Sequence, residues 1–195
     1  AYEDFVKMMQ KLDKNDNTSE LIEDPEIPLY LKGRKLTGSH VSGDEFETAH
    51  RLLLNPFANK CLTVSGGDSL VSESMIIDVY GFIYLCLTGL YESVIASKIA
   101  VYITCETDST IELWINNITH EDFNRVSEDN GQLTGIGSEF VNHELGDFID
   151  NVEKLRSHSK IEAPNIHDLP TIVSQMDSLI SSSIVSSIRL SVAND

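Results

Sequence analysis

Basic residues are scarce: 14 Lys plus Arg stand against 31 Asp plus Glu in 195 residues, a formal net charge of -17. Nucleic acid and anionic membranes are bound by clustered cations that neutralise phosphate, so neither is an expected partner. Cysteine is scarce too. Cys61, Cys86 and Cys105 never approach the C-x-x-C spacing of a zinc or redox site and lie in apolar surroundings, which predicts buried free thiols in a reducing, intracellular setting. Long apolar runs are missing: the longest uncharged one, Val79 to Tyr91, is shorter than the roughly 20 residues a bilayer demands, so no transmembrane segment is expected. The start of the chain lacks a basic segment followed by an apolar one, and no signal peptide is expected. The glycine fingerprints of dinucleotide and Walker sites are also missing, and no cofactor or metal is expected.

What is present is a globular composition, 41% hydrophobic and 23% charged. A chain of this length buries roughly two thirds of its unfolded surface and needs no disulfide to hold a core. Residues 1–28 read as an N-terminal helix, with Phe5, Met8, Met9 and Leu12 on one face, followed by an acidic loop. Residues 29–195 read as a single domain. Ser42 and Glu45 form a capping-box pattern that opens a helix through Phe46, Ala49 and Leu53, stopped by Asn55-Pro56. Val79, Phe82, Ile83, Cys86, Leu90 and Val94 recur at helical steps, predicting one buried helix from Ser72 to Ala96. Its remaining stripe, Asp78, Gly81, Gly89 and Glu92, predicts close approach by another backbone through tight packing on a neighbouring element, with a partner groove as the alternative.

Alternation predicts strands elsewhere. Ile99, Val101 and Ile103 on one side of the polar link 106–109, and Ile111, Leu113 and Ile115 on the other, predict an antiparallel hairpin over 98–118. Further strands are expected at Cys61 to Ser65 and at Ile184 to Val192. A loop follows the hairpin, carrying Asn130-Gly131, Gly135 and Gly137. Val141, Leu145, Phe148, Val152 and Leu155 then form a helical seam, and Asp168 caps a further helix with Pro170 in its first turn. The expected class is α+β: a central buried helix with an antiparallel hairpin and additional helices packed on a small sheet.

Two motifs invite chemistry. Gly67-Asp68-Ser69-Leu70 follows the apolar Cys61-Leu62-Thr63-Val64 and resembles the first block of the GDSL esterases and lipases. The resemblance implies Ser69 as nucleophile, served by an Asp-x-x-His block near the C-terminus. A serine hydroxyl needs such a base. Here no histidine has an aspartate three residues before it; Glu47 and His50 have the spacing but precede the serine, and His167 is followed by Asp168. A turn capped by Ser69 or Asp68 is the preferred reading. Asp13-Lys14-Asn15-Asp16-Asn17-Thr18 resembles the start of an EF-hand loop, yet Thr18 takes the glycine position, Asp24 the final glutamate position, and Pro25 follows. His143-Glu144 lacks a second histidine one turn away, which a zinc-protease helix requires.

Charge placement says more. Between Cys61 and Asp150 lie fifteen acids and only Lys98 and Arg125 as bases, whereas Lys32, Arg34, Lys35, Arg51 and Lys60 give the preceding stretch the opposite sign. The expectation is non-catalytic protein-protein interaction or assembly with a protein partner, possibly a second copy. Lys32, Arg34 and Lys35 would orient the contact, with apolar area from Val141, Leu145, Phe148 and Val152. A divergent serine hydrolase using Ser69 is the alternative. Another is an acidic mimic of nucleic acid that occupies a basic site on its partner.

Overall fold

A computed structural model describes residues 24, 32, 42–54, 73–120, 124–129, 132–164 and 180–193. In chain order its elements are α1 (Ser42–Leu54), β1 (Ser74–Ile76), α2 (Val79–Thr88), α3 (Leu90–Ser97), β2 (Ala100–Thr104), α4 (Cys105–Thr119), β3 (Asn124–Asp129), β4 (Gln132–Gly137), α5 (Ser138–His158), β5 (Lys160–Glu162) and α6 (Ser182–Ala193).

Strands β1, β2 and β5 form a parallel sheet in that order, with Ser74 opposite Ala100 and Tyr102 opposite Lys160. Each connection between parallel neighbours must return to the starting edge, and helices provide the return. α2 and α3 link β1 to β2, while α4, the β3–β4 ladder and α5 link β2 to β5. The buried hydrophobic residues of β2, Val101 and Ile103, lie in one core with α1, α2, α4 and α5. An aromatic cluster joins three of these helices. Phe46 of α1 stacks on Trp114 of α4 at 4.2 Å between centroids, and His50 of α1 stacks on Phe148 of α5 at 4.6 Å. At the edge of that core Arg156 of α5 grips α4, donating from Nε and Nη2 to the two carboxylate oxygens of Asp108 at 2.5 and 3.0 Å.

The structure corrects the expected fold class. The 98–118 hairpin does not form: its first arm is β2, which pairs in parallel with β1 and β5, and its second arm is helix α4. Thr104 caps α4, accepting from the Thr107 amide at 3.2 Å, and Glu106 and Asp108 occupy the first turn where the helix dipole favours acids. Ile111, Trp114 and Ile118, spaced by three and four, are the buried hydrophobic residues, and Leu113 of the alternating set is 43% exposed.

Nor is 72–96 one helix. Residues 74–76 are strand β1, and the apolar run breaks at Gly89, whose φ of +74° a residue with a side chain rarely adopts. α2 and α3 meet there at 104°. Among the described residues no single helix is long and apolar enough to cross a membrane. The stretch expected to be a loop after the hairpin holds the antiparallel β3–β4 ladder, and the strand expected at 184–192 is helix α6. α1 covers 42–54 and α5 covers 138–158, where helices were expected. The expected strand at 61–65 and the helix after Asp168 lie outside the described residues.

Candidate functional site

The groove beside β1 is built from two segments about a hundred residues apart in sequence. Met75, Ile76 and Ile77 lead out of β1 into Asp78, which caps α2: its Oδ1 accepts from the Gly81 amide at 2.8 Å. That cap starts the helix immediately after the strand. α2 then divides its side chains, sending Val79, Phe82, Ile83 and Cys86 inward and leaving Tyr84 and Leu85 half-buried on the other side.

The facing wall is α6. Its N-terminus is tied to α1 by Glu45, whose Oε1 accepts from the hydroxyls of Ser181 and Ser183, the latter at 2.8 Å. Burial holds the Glu45 carboxyl above the usual carboxylate range; the serine hydrogen bonds oppose the shift and the nearby Asp78 charge adds to it. Burial also raises Asp78, against the opposing hydrogen bond from the Gly81 amide. α6 buries three serines, Ser183, Ser186 and Ser187, together with Val185 and Leu190. The Ser183 and Ser187 hydroxyls are satisfied, the latter donating to the Ser183 carbonyl at 2.9 Å. Ile184 and Ile188 are left half-buried in the wall of an open groove of about 510 Å³. Among the described residues that line this groove, Asp78 is the one charged group.

A second concavity, of about 680 Å³, lies between Ile95 of α3 and the polar end of α5, lined by Asp150, Glu153, Lys154, Ser157 and His158. Among its described lining residues Ile95 is the one apolar side chain.

The candidate residues read from sequence fall in different places. Lys32 is wholly buried in a helical turn, so it is not a surface charge; Arg34 and Lys35 lie outside the described residues. Val152 is fully buried, and Leu145 and Phe148 pack against the core, Phe148 on His50; Val141 lies in the first turns of α5. The lower part of the seam thus covers the chain's own interior. Ser69 and His167 lie outside the described residues, as does the EF-hand-like stretch apart from Asp24, whereas His50 is an aromatic packing partner. His143 and Glu144 contact each other at 3.1 Å on an exposed face. The Cys86 thiol is pushed by burial up to about 12, and Cys105 is exposed. Among the described residues no three His, Cys, Asp or Glu side chains converge as metal ligands.

Sequence reading offered a partner groove on the Asp78 and Gly81 stripe only as an alternative, and found neither its α6 wall nor the Glu45 tie. The available signal was Asp78 standing directly before an apolar run, an N-cap pattern. Compared with protein-family models, with curated proteins and with solved structures, the chain matches none.

Proposed function

We propose that this chain is a non-catalytic protein-interaction module that takes apolar side chains of a protein partner into the groove between α2 and α6. One observation carries the reading. α6 already buries Val185 and Leu190, yet it also leaves Ile184 and Ile188 part-exposed in the groove wall, beside Ser187 and Ser191 and facing Met75, Tyr84 and Leu85 across the groove, a second apolar stripe that the fold itself does not cover. Its exposed large hydrophobics, such as Leu54 and Ile161, are scattered singly and need no such explanation. A contiguous apolar concavity does.

Covering the open parts of Met75, Leu85, Ile184 and Ile188 contributes on the order of 4 kcal/mol, taking about 1 kcal/mol for each half-buried side chain. Association costs are of similar or larger size. The contact is therefore transient unless polar groups add to it.

The test is methyl NMR of the intact chain titrated with an uncharged amphipathic Leu/Gln helical peptide. Shifts confined to Met75, Leu85, Ile184 and Ile188, and lost in Ile188→Gln, are the expected result. Shifts spread over unrelated methyls, or none at millimolar peptide, refute the groove as a binding surface.

A further inference from the structure

We infer that the partner segment is a cationic amphipathic helix, its apolar face seated on Ile184, Ile188, Met75 and Leu85 and a lysine or arginine reaching Asp78. This rests on the groove being a binding surface and names what fills it. The groove's walls run from Asp78 to Leu85 on α2 and from Ile184 to Ser191 on α6, about two turns each, or roughly 10 Å. A partner helix presents side chains at i, i+3, i+4 and i+7 over the same length, so one apolar stripe fills the groove without extending it.

The charge argument is independent of shape. Asp78 is the one charged group among the described lining residues, and Arg189, although on α6, is not part of that wall. Asp78 already has one oxygen committed to the Gly81 amide. The Asp78 charge also disfavours ionisation of Glu45, though less than burial does. A cation entering the groove offsets that charge and replaces the water Asp78 loses when apolar side chains close over it. An anionic segment would add another like charge at the same place. The whole chain's charge of -17 acts in the same sense, drawing cationic segments toward the surface before they dock.

The probes are two fluorescein-labelled 14-residue helical peptides of the same apolar pattern, one with lysine and one with glutamine at the polar positions, followed by anisotropy against the full chain. The lysine peptide is expected to bind at least tenfold more tightly. Asp78→Asn, which preserves an N-cap oxygen, is expected to remove most of that advantage. Asp150→Asn, which deletes one charge from the cleft between α3 and α5, is expected to leave it.

An equal loss in the two variants would assign the attraction to the whole acidic surface and overturn the inference. Equal binding of the two peptides would overturn it too, while leaving an apolar binding groove. Failure of both peptides to bind would remove the groove reading itself. Sedimentation showing self-association that Ile188→Gln abolishes would make a second copy the occupant and would likewise overturn the cationic helix.

Discussion

Three glycines among the described residues answer differently to a single methyl group. A Cβ on Gly81 would stand 2.9 Å from Cγ2 of Ile77, a buried β-branched side chain with little freedom to move. On Gly89 it would meet open space but would strain a backbone at φ +74°. On Gly146 it would meet nothing, in an ordinary helix. Gly146→Ala is therefore expected to stabilise by up to about 1 kcal/mol. Gly89→Ala is expected to destabilise by about 1 kcal/mol or more, and Gly81→Ala by about 1 to 2 kcal/mol after its gain in helix propensity. Urea midpoints in the order Gly146→Ala, wild type, then the other two are the check; a neutral Gly81→Ala would mean that Ile77 yields.

Glu45 titrates against the fold. Its folded value is raised, chiefly by burial, so the stability it contributes is complete below the ordinary carboxyl range, about pH 4, and is lost as pH rises through the raised value. Glu45→Gln keeps an acceptor for Ser181 and Ser183 and removes the ionisation. The stability difference between wild type and variant should shift against the wild type as pH rises from about 4 through the raised folded-state value. Curves that run parallel over that range would show that Glu45 does not titrate there.

At the scale of elements, α4 and α5 are joined by packing and by one forked ion pair. Arg156 presents two donors to Asp108 and a third contact to Glu112 at 3.1 Å. Lysine cannot reproduce that fork. Arg156→Lys is expected to cost about 1 to 2 kcal/mol, and a double-mutant cycle with Asp108→Asn should be clearly non-additive. Additive losses would mean that the two helices are held by their apolar contacts alone.

Elements were legible where one period dominated. The seam of α5 repeats by three and four through Leu155, and α1 carries both a start and a stop signal. α4 and α6 were misread because each holds two periods at once. Ile111, Leu113 and Ile115 alternate, but Ile111, Trp114 and Ile118 share a helix face, and burial selects the second set. In α6 Ile184, Ile188, Leu190 and Val192 alternate, but the buried face joins Val185 and Leu190 to Ser183, Ser186 and Ser187, and hydropathy does not count the serines. Glu45 satisfies two of the serine hydroxyls that precede or open that helix from another part of the chain. No local pattern announces such a partner.

For the whole molecule, the same long-range assembly explains why only one wall of the groove left a trace in sequence. Its walls come from residues 75–85 and 184–191, and neither half is a motif. The sheet has a comparable separation with a consequence in time. Ser74 pairs with Ala100, 26 positions on, but Tyr102 pairs with Lys160, 58 positions on. Closing the larger loop costs somewhat more entropy for a strand of only three residues. Its partner edge also stays uncovered until α4, the β3–β4 ladder and α5 have formed. β5 is therefore the last strand to lock. In pulse-labelled hydrogen exchange during refolding, the amides of Ala100 and Tyr102, which face β1, should gain protection in an earlier phase than those of Ile103 and Glu162, which join β2 to β5. Simultaneous protection would show that the sheet closes in one cooperative step. Until it closes, β2 presents an open edge flanked by the apolar side chains of Val101 and Ile103, so the refolding chain is most exposed to wrong pairing during the interval in which α5, the longest helix among the described residues, is being made.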